Sequence, residues 1–198
     1  MEFIYIILAY LLGSISWALI IGKIFYKTDI RKLGSGNLGA TNAGRNLGKT
    51  AGLAITILDI LKCGVASFLG STISIELGAI CGLVCVFGHC YPIFAGFKGG
   101  KGVASAMGFA FSTILFCNVH WLMAIIIVVV WLSLMKITKM VSLSSLITLL
   151  IIALASIFLS DNLTIQIVFF TLFIFISIKH RANIKRIINK SESKVSWI

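Results

Sequence analysis

The sequence predicts an all-α membrane protein, a polytopic helical bundle of about seven transmembrane helices. Three observations predict it. Hydrophobic residues are 59% of the 198 and charged residues 12%, about half the roughly 25% of soluble domains. Mean hydropathy is +1.08. The apolar residues come in long runs divided by short polar segments, and the cations fall almost wholly in those segments.

Taken in order, the first span covers residues 3–22. It lacks a basic n-region and a small-x-small cleavage pattern, so it reads as a retained span rather than a signal peptide. A polar loop occupies 23–50, and the second span runs over 51–70, interrupted by Asp59 and Lys62. After a break at 71–74 comes the third span, 75–94, whose end overlaps a polar segment at 88–105. The fourth span, 103–117, is short of the roughly 20 residues a straight crossing needs, so six crossings with a re-entrant segment is the alternative. The fifth covers 121–135, the sixth 141–159 and the seventh 163–178, and a basic tail starts at Lys179. A single domain over 1–198 is expected.

Of the 17 Lys and Arg, all but Lys62 lie in four segments: the 23–50 loop, the 88–105 segment, the 136–139 turn and the tail. Seven crossings put all four on one side. The opposite side then holds Glu2, Glu76 and Asp161 and no cation. The positive-inside rule places the N-terminus outside and the C-terminus in the cytoplasm. The net charge of +11 therefore follows topology, and nucleic acid is not implied as a partner. The five cysteines sit mostly inside apolar runs and suggest no disulfide framework. Cys81, Cys85 and His89 share a helix face, but one helix supplies only three ligands and no carboxylate lies near, so packing is preferred to a metal site.

Residues 34–49, GSGNLGATNAGRNLGK, interrupt this apolar chain. They bury no apolar face. They offer uncovered backbone N–H groups, hydroxyls at Ser35 and Thr41, and charge at Arg45 and Lys49, which is chemistry for an anion and above all a phosphate. The literal GxGxxG at 34–39 is not a dinucleotide fingerprint, because its flanks are membrane spans and not a βαβ unit. The second segment, 88–102, contains the only proline, Pro92, which should end the third span. Its FKGGKG is no P-loop, yet Lys98 and Lys101 around Gly99-Gly100, leading into a helix at Gly102, make an anion site at a helix N-terminus. The third, HRANIKRIINKSE, repeats His180, Asn183 and Arg186 at a spacing of three on one helix face and ends on Glu192. Lys185, Lys190 and Lys194 read as headgroup-anchoring charges. Asp59 and Lys62, at i and i+3 inside a span, must pair with each other or with a neighbouring span. Ser142 opens the sixth span as an N-cap or a site hydroxyl, the cap being the simpler reading.

These segments carry a resemblance. Ser35-Gly-Asn37-Leu-Gly39-Ala-Thr41-Asn42-Ala-Gly-Arg45, then Gly88-His89-Cys-Tyr-Pro92 with FKGGKGVA at 97–104, then His180-x-x-Asn183-x-x-Arg186 with Glu192, resemble the three motifs of the bacterial acyl-phosphate:glycerol-3-phosphate acyltransferases. Asp59-Ile-Leu-Lys62 and Val141-Ser142-Leu143 are also similar to positions of that family. The likeness runs the length of the chain. Leu38, Cys63 and Ser105 depart from the usual residues, and Lys190 stands where the family has glycine, which bears on the placement of Glu192.

The resemblance implies acyl transfer from acyl phosphate to the 1-hydroxyl of glycerol 3-phosphate, giving lysophosphatidate and phosphate. It implies no cofactor and no metal. It assigns catalytic roles to Ser35, Arg45, Lys101, His180, Asn183 and Glu192. Substrate binding falls to Asn37, Gly39, Thr41, Asn42, His89, Lys98, Gly99, Gly100, Gly102, Ser142 and Arg186. Membrane lipid is the third expected partner, and the location a bacterial inner membrane with the site facing the cytoplasm. No base stands beside Ser35 in the sequence, so positioning and charge stabilisation are preferred to an acyl-serine intermediate. The competing class is a transporter or channel for an anionic phosphorylated solute. Against it, the polar residues gather at one surface and no midplane pathway is visible beyond Asp59 and Lys62.

Overall fold

The computed structural model describes residues 2–195, and among them every regular element is helical. In hydrocarbon each segment must satisfy its own backbone, and a helix does so. The helices are α1 (Glu2–Ser14), α2 (Trp17–Phe25), α3 (Ala40–Asn46), α4 (Lys49–Ser71), α5 (Ile75–Cys90), α6 (Val103–Phe116), α7 (Leu122–Thr138), α8 (Val141–Leu159), α9 (Leu163–Lys179) and α10 (Arg181–Ile188). Short 3-10 turns at Ile30–Lys32 and Ile93–Ala95 shape the first two polar segments.

Among the described residues four stretches are long and apolar enough to cross a bilayer: Glu2–Phe25, Lys49–Ser71, Ile75–Ala95 and Val141–Leu159. A fifth is the pair α9 and α10, bent by 66°. Helices α6 and α7 are apolar but shorter. Large side chains such as Phe3, Leu115 and Phe158 stand more than two-thirds exposed, as lipid-facing residues do. Two features were not anticipated. The first apolar run is broken at Ile15–Ser16 into α1 and α2, and the glycine-rich loop contains a helix, α3.

The chain divides into two compact units, residues 1–117 and 118–198. In the first, α4 and α5 pack against each other and against α1 and α6. The contacts are backbone-close. A Cβ at Gly13 would run into the Cys85 carbonyl, and one at Gly88 would stand 3.1 Å from the Gly13 Cα. Membrane helices associate through such small residues, because lipid removes the hydrophobic drive between them. Near the loops, Ile30, Leu38, Ala43, Ala51 and Ile55 form a small core with α2. In the second unit α8 packs on α7 and α9, and α10 folds back against α8. Trp131 Nε1 donates to Ser145 Oγ across 3.3 Å, and the Asn162 side chain caps α9 by accepting from Ile165 N.

Candidate functional site

The 23–50 loop is built around Asn42. Its Nδ2 donates to the carbonyls of Leu33 and Asn37 at 3.1 Å each. Its Oδ1 accepts from Ser35 N and from Asn46 Nδ2, also at 3.1 Å. Only 5% exposed, this carboxamide replaces the ladder that a glycine-rich segment cannot form for itself. Asn42 is thus engaged at both ends of its amide by the loop. Asn46, which sequence reasoning passed over, closes the arrangement by donating to Asn42 O at 2.9 Å, and its i+4 spacing from Asn42 was the available signal. Asn37 and Gly39 are half-buried, Gly39 preceding α3, while Ser35, Thr41 and Arg45 are left exposed. Arg45 has no hydrogen-bond or ion-pair partner among the described residues. Arg31 behaves oppositely. Its guanidinium grips Asp29 at 2.6 Å, and this hydrogen bond holds the Asp29 carboxyl down at about 2. The charge of Arg31 is therefore answered inside the loop and that of Arg45 is not.

In the second segment α5 stops at Cys90, two residues ahead of Pro92, as the proline predicts. The chain then doubles back. Phe97 N donates to Pro92 O at 2.8 Å, and Gly100 N donates to His89 O at 3.2 Å. Lys98 is exposed, Gly99 and Lys101 are half-buried, and Gly102 leads directly into α6. Gly100 is buried where only glycine fits. A Cβ there would run into His89 Nε2 and stand 3.0 Å from the Leu38 carbonyl oxygen, so the first and second loops meet at this point. In the first turn of α6, Ser105 is fully buried and its hydroxyl has no hydrogen-bond partner among the described residues.

Beneath this loop lies a buried hub. Lys62 Nζ stands 2.9 Å from Asp59 Oδ1, 2.8 Å from Ile15 O and 3.0 Å from His89 Nδ1. The expected Asp59–Lys62 pair is therefore present, with His89 and the break in the first span added to it. Cys85 donates its thiol to Lys62 O at 3.7 Å. Among the described residues no group of three His, Cys, Asp or Glu converges as metal ligands.

The second unit gathers the third motif around Glu192. Ser142 Oγ donates to Oε1 at 2.7 Å, Asn183 Nδ2 to Oε1 at 2.6 Å, and Arg186 Nε to Oε2 at 2.7 Å. Burial pushes the Glu192 carboxyl up, but the three donors outweigh it and hold the group below its ordinary value. The N-cap reading of Ser142 is corrected here. The cap position of α8 is Met140, and Ser142, two residues inside the helix, reaches 50 residues along the chain to Glu192. Lys190 adopts φ +54°, the left-handed conformation that suits glycine, and the turn still delivers Glu192 to its donors. Val195 N pins the tail to Lys139 O at 2.8 Å. His180 sits at the bend between α9 and α10, 3% exposed, with Nδ1 2.9 Å from Ile176 O. A carbonyl only accepts, so Nδ1 carries a proton, and in the neutral ring Nε2 is the acceptor.

These features define a class: a polytopic helical membrane protein whose polar segments are organised by buried hydrogen-bonding hubs. The family follows from comparison. The sequence model of the family glycerol-3-phosphate acyltransferase matches residues 3–190. The chain is 47% identical over 192 residues to glycerol-3-phosphate acyltransferase 2 of Bacillus cereus (strain ATCC 10987 / NRS 248), covering 96% of this chain and 93% of that one. It is 40% identical to the glycerol-3-phosphate acyltransferase of Macrococcus caseolyticus, covering 97% and 96%. The crystal structure of PlsY (YgiH), an integral membrane glycerol 3-phosphate acyltransferase in its glycerol 3-phosphate form, superposes with a TM-score of 0.90 at 33% identity, over 98% of this chain and 96% of that one. This chain belongs to the glycerol-3-phosphate acyltransferase family. It is an acyltransferase with an integral-membrane fold, and the solute-transporter reading is set aside.

Proposed function

We propose that the protein transfers a long-chain acyl group from acyl phosphate to the 1-hydroxyl of sn-glycerol 3-phosphate, the first step of phospholipid synthesis. The hydroxyl oxygen forms the ester bond to the acyl carbon, the carbon–oxygen bond to phosphate breaks, and the hydroxyl proton ends on the released phosphate. The leaving group is already good, so positioning and charge stabilisation do the work and no strong base is needed. The observation that carries this reading is Arg45, exposed and unanswered in a loop that neutralises its neighbour Arg31 with Asp29.

In the first unit Arg45, Lys101 and the N–H groups of residues 99–102 hold phosphate, at the start of α6 where the unpartnered Ser105 hydroxyl is buried. Lys98 adds charge, Ser35, Asn37, Gly39 and Thr41 orient substrate, and Asn42 keeps the loop in shape. In the second unit His180 and Asn183 contact glycerol phosphate. Glu192, held by Ser142 and Arg186, fixes the orientation of Asn183. The acyl chain enters from lipid. The location is a bacterial cytoplasmic membrane, with the N-terminus outside and the polar segments facing the cytoplasm.

The test is direct. Protein purified in lipid, given acyl phosphate and glycerol 3-phosphate, is expected to release lysophosphatidate and phosphate in equal amounts. Arg45→Ala should lower kcat/KM by about a hundredfold or more, the scale of one lost charge-assisted phosphate contact. Turnover with another donor but none with acyl phosphate would refute the reading. An isolable acyl-Ser35 adduct would replace direct transfer with a covalent route.

A further inference from the structure

We propose that Lys62 is a positioning residue for the loop at 99–102 and acts by dictating which nitrogen of His89 carries the proton. The proposal rests on the reading of that loop as a phosphate cradle. A lysine ammonium has three N–H donors and accepts nothing. Around Lys62 Nζ stand three partners at 2.8, 2.9 and 3.0 Å: Ile15 O, Asp59 Oδ1 and His89 Nδ1. Two are oxygens that only accept, so the third donor goes to the imidazole, and Nδ1 meets it as a lone pair. The ring proton is then on Nε2.

That edge of the ring faces the loop. Nε2 packs directly on Gly100, on the side where the Leu38 carbonyl oxygen also lies. The backbone carbonyl of the same histidine accepts from Gly100 N at 3.2 Å. His89 therefore grips the second loop at Gly100 with both its ring and its backbone, where the first loop arrives. Asp59 Oδ1 also stands 3.4 Å from Nδ1, and without Lys62 it faces that nitrogen with no ammonium between them. A carboxylate draws the proton onto Nδ1. Nε2 would then turn its lone pair toward the electron-rich Leu38 side, and the junction of the two loops would open. Lys62, inside the membrane span, thus governs loop geometry without touching substrate.

The experiment is solid-state NMR on the full chain in lipid bilayers with nitrogen-15 histidine, paired with steady-state kinetics. His89 is expected as Nε2–H with an accepting Nδ1. His180 is the internal contrast, since its Nδ1 donates to Ile176 O. Lys62→Met should move the His89 proton to Nδ1 and raise KM for glycerol 3-phosphate about tenfold, with a smaller change in kcat. Should that variant fail to fold, His89→Asn keeps an accepting oxygen for Lys62 and removes the Nε2 donor. It should retain near wild-type thermal stability and show the same rise in KM. His89→Gln, which returns an amide N–H near the place of Nε2, should recover part of the loss. A wild-type His89 protonated at Nδ1, or a His89→Asn enzyme with unchanged KM, overturns the proposal. Should the wild-type enzyme show no saturable dependence on glycerol 3-phosphate, the cradle reading fails, and the tautomer measurement still decides the Lys62–His89 relation.

Discussion

Two buried hubs organise this protein, and they are chemical opposites. In the first unit a cation, Lys62, stands among a backbone carbonyl, a carboxylate and an imidazole nitrogen. In the second an anion, Glu192, is surrounded by three donors. The first is sealed: the Lys62 and Asp59 side chains are 3% and 2% exposed. The second is open at one edge, where Arg186 is 44% exposed. A sealed hub has no water to fall back on, whereas the open one can exchange a lost partner for solvent. The same number of polar partners should therefore differ in consequence.

The largest expected effect is in the sealed hub. Asp59→Leu leaves an ammonium buried without its counter-charge and should cost about 3–5 kcal/mol, read as a fall in melting temperature in detergent. Asp59→Leu with Lys62→Met should recover much of that loss. A single variant as stable as the parent would show that the hub is wet. Next comes Glu192→Ala, which strands three donors beside solvent and should cost about 1–3 kcal/mol. Parity with Asp59→Leu would erase the contrast between the hubs.

The third effect is in acid. The folded-state pKa of Glu192 is depressed, so its contribution is fully present above its ordinary value near 4.5 and is lost as pH falls through the lower folded value. Glu192→Gln should flatten that part of the stability curve below pH 4.5. An unchanged acid profile would mean that Glu192 makes no such contribution. The smallest effect concerns Lys190, held at φ +54°. Lys190→Gly relieves that conformation and should raise stability by up to about 1 kcal/mol, unless the greater freedom of glycine in the unfolded chain cancels it. A fall in melting temperature would show that the lysine stem packs usefully.

The hubs also differ in how legible they were. Asp59 and Lys62 announce themselves, because two charges at i and i+3 in an apolar run have few alternatives to pairing. The helical apolar runs, the stop before Pro92 and the shared face of His180, Asn183 and Arg186 were equally local signals. Ser142 was misread because its partner is 50 residues away, and a serine opening a helix looks like a cap from its neighbours alone. Helix α3 was missed because glycine and asparagine argue against helix locally, while the hydrogen bonds of the Asn42 side chain override them. The break after α1 was missed although Gly13-Ser14 lies directly before it, because the surrounding run is otherwise continuously apolar.

That break has a consequence for how the protein is made. The Ile15 carbonyl released by the break is met by an ammonium 47 residues later in the chain. A bilayer offers nothing else to a bare carbonyl, so a nascent first span standing alone keeps its helix unbroken. The partner that meets the freed carbonyl comes from the second span. The finished shape of the first span thus depends on a residue of the second.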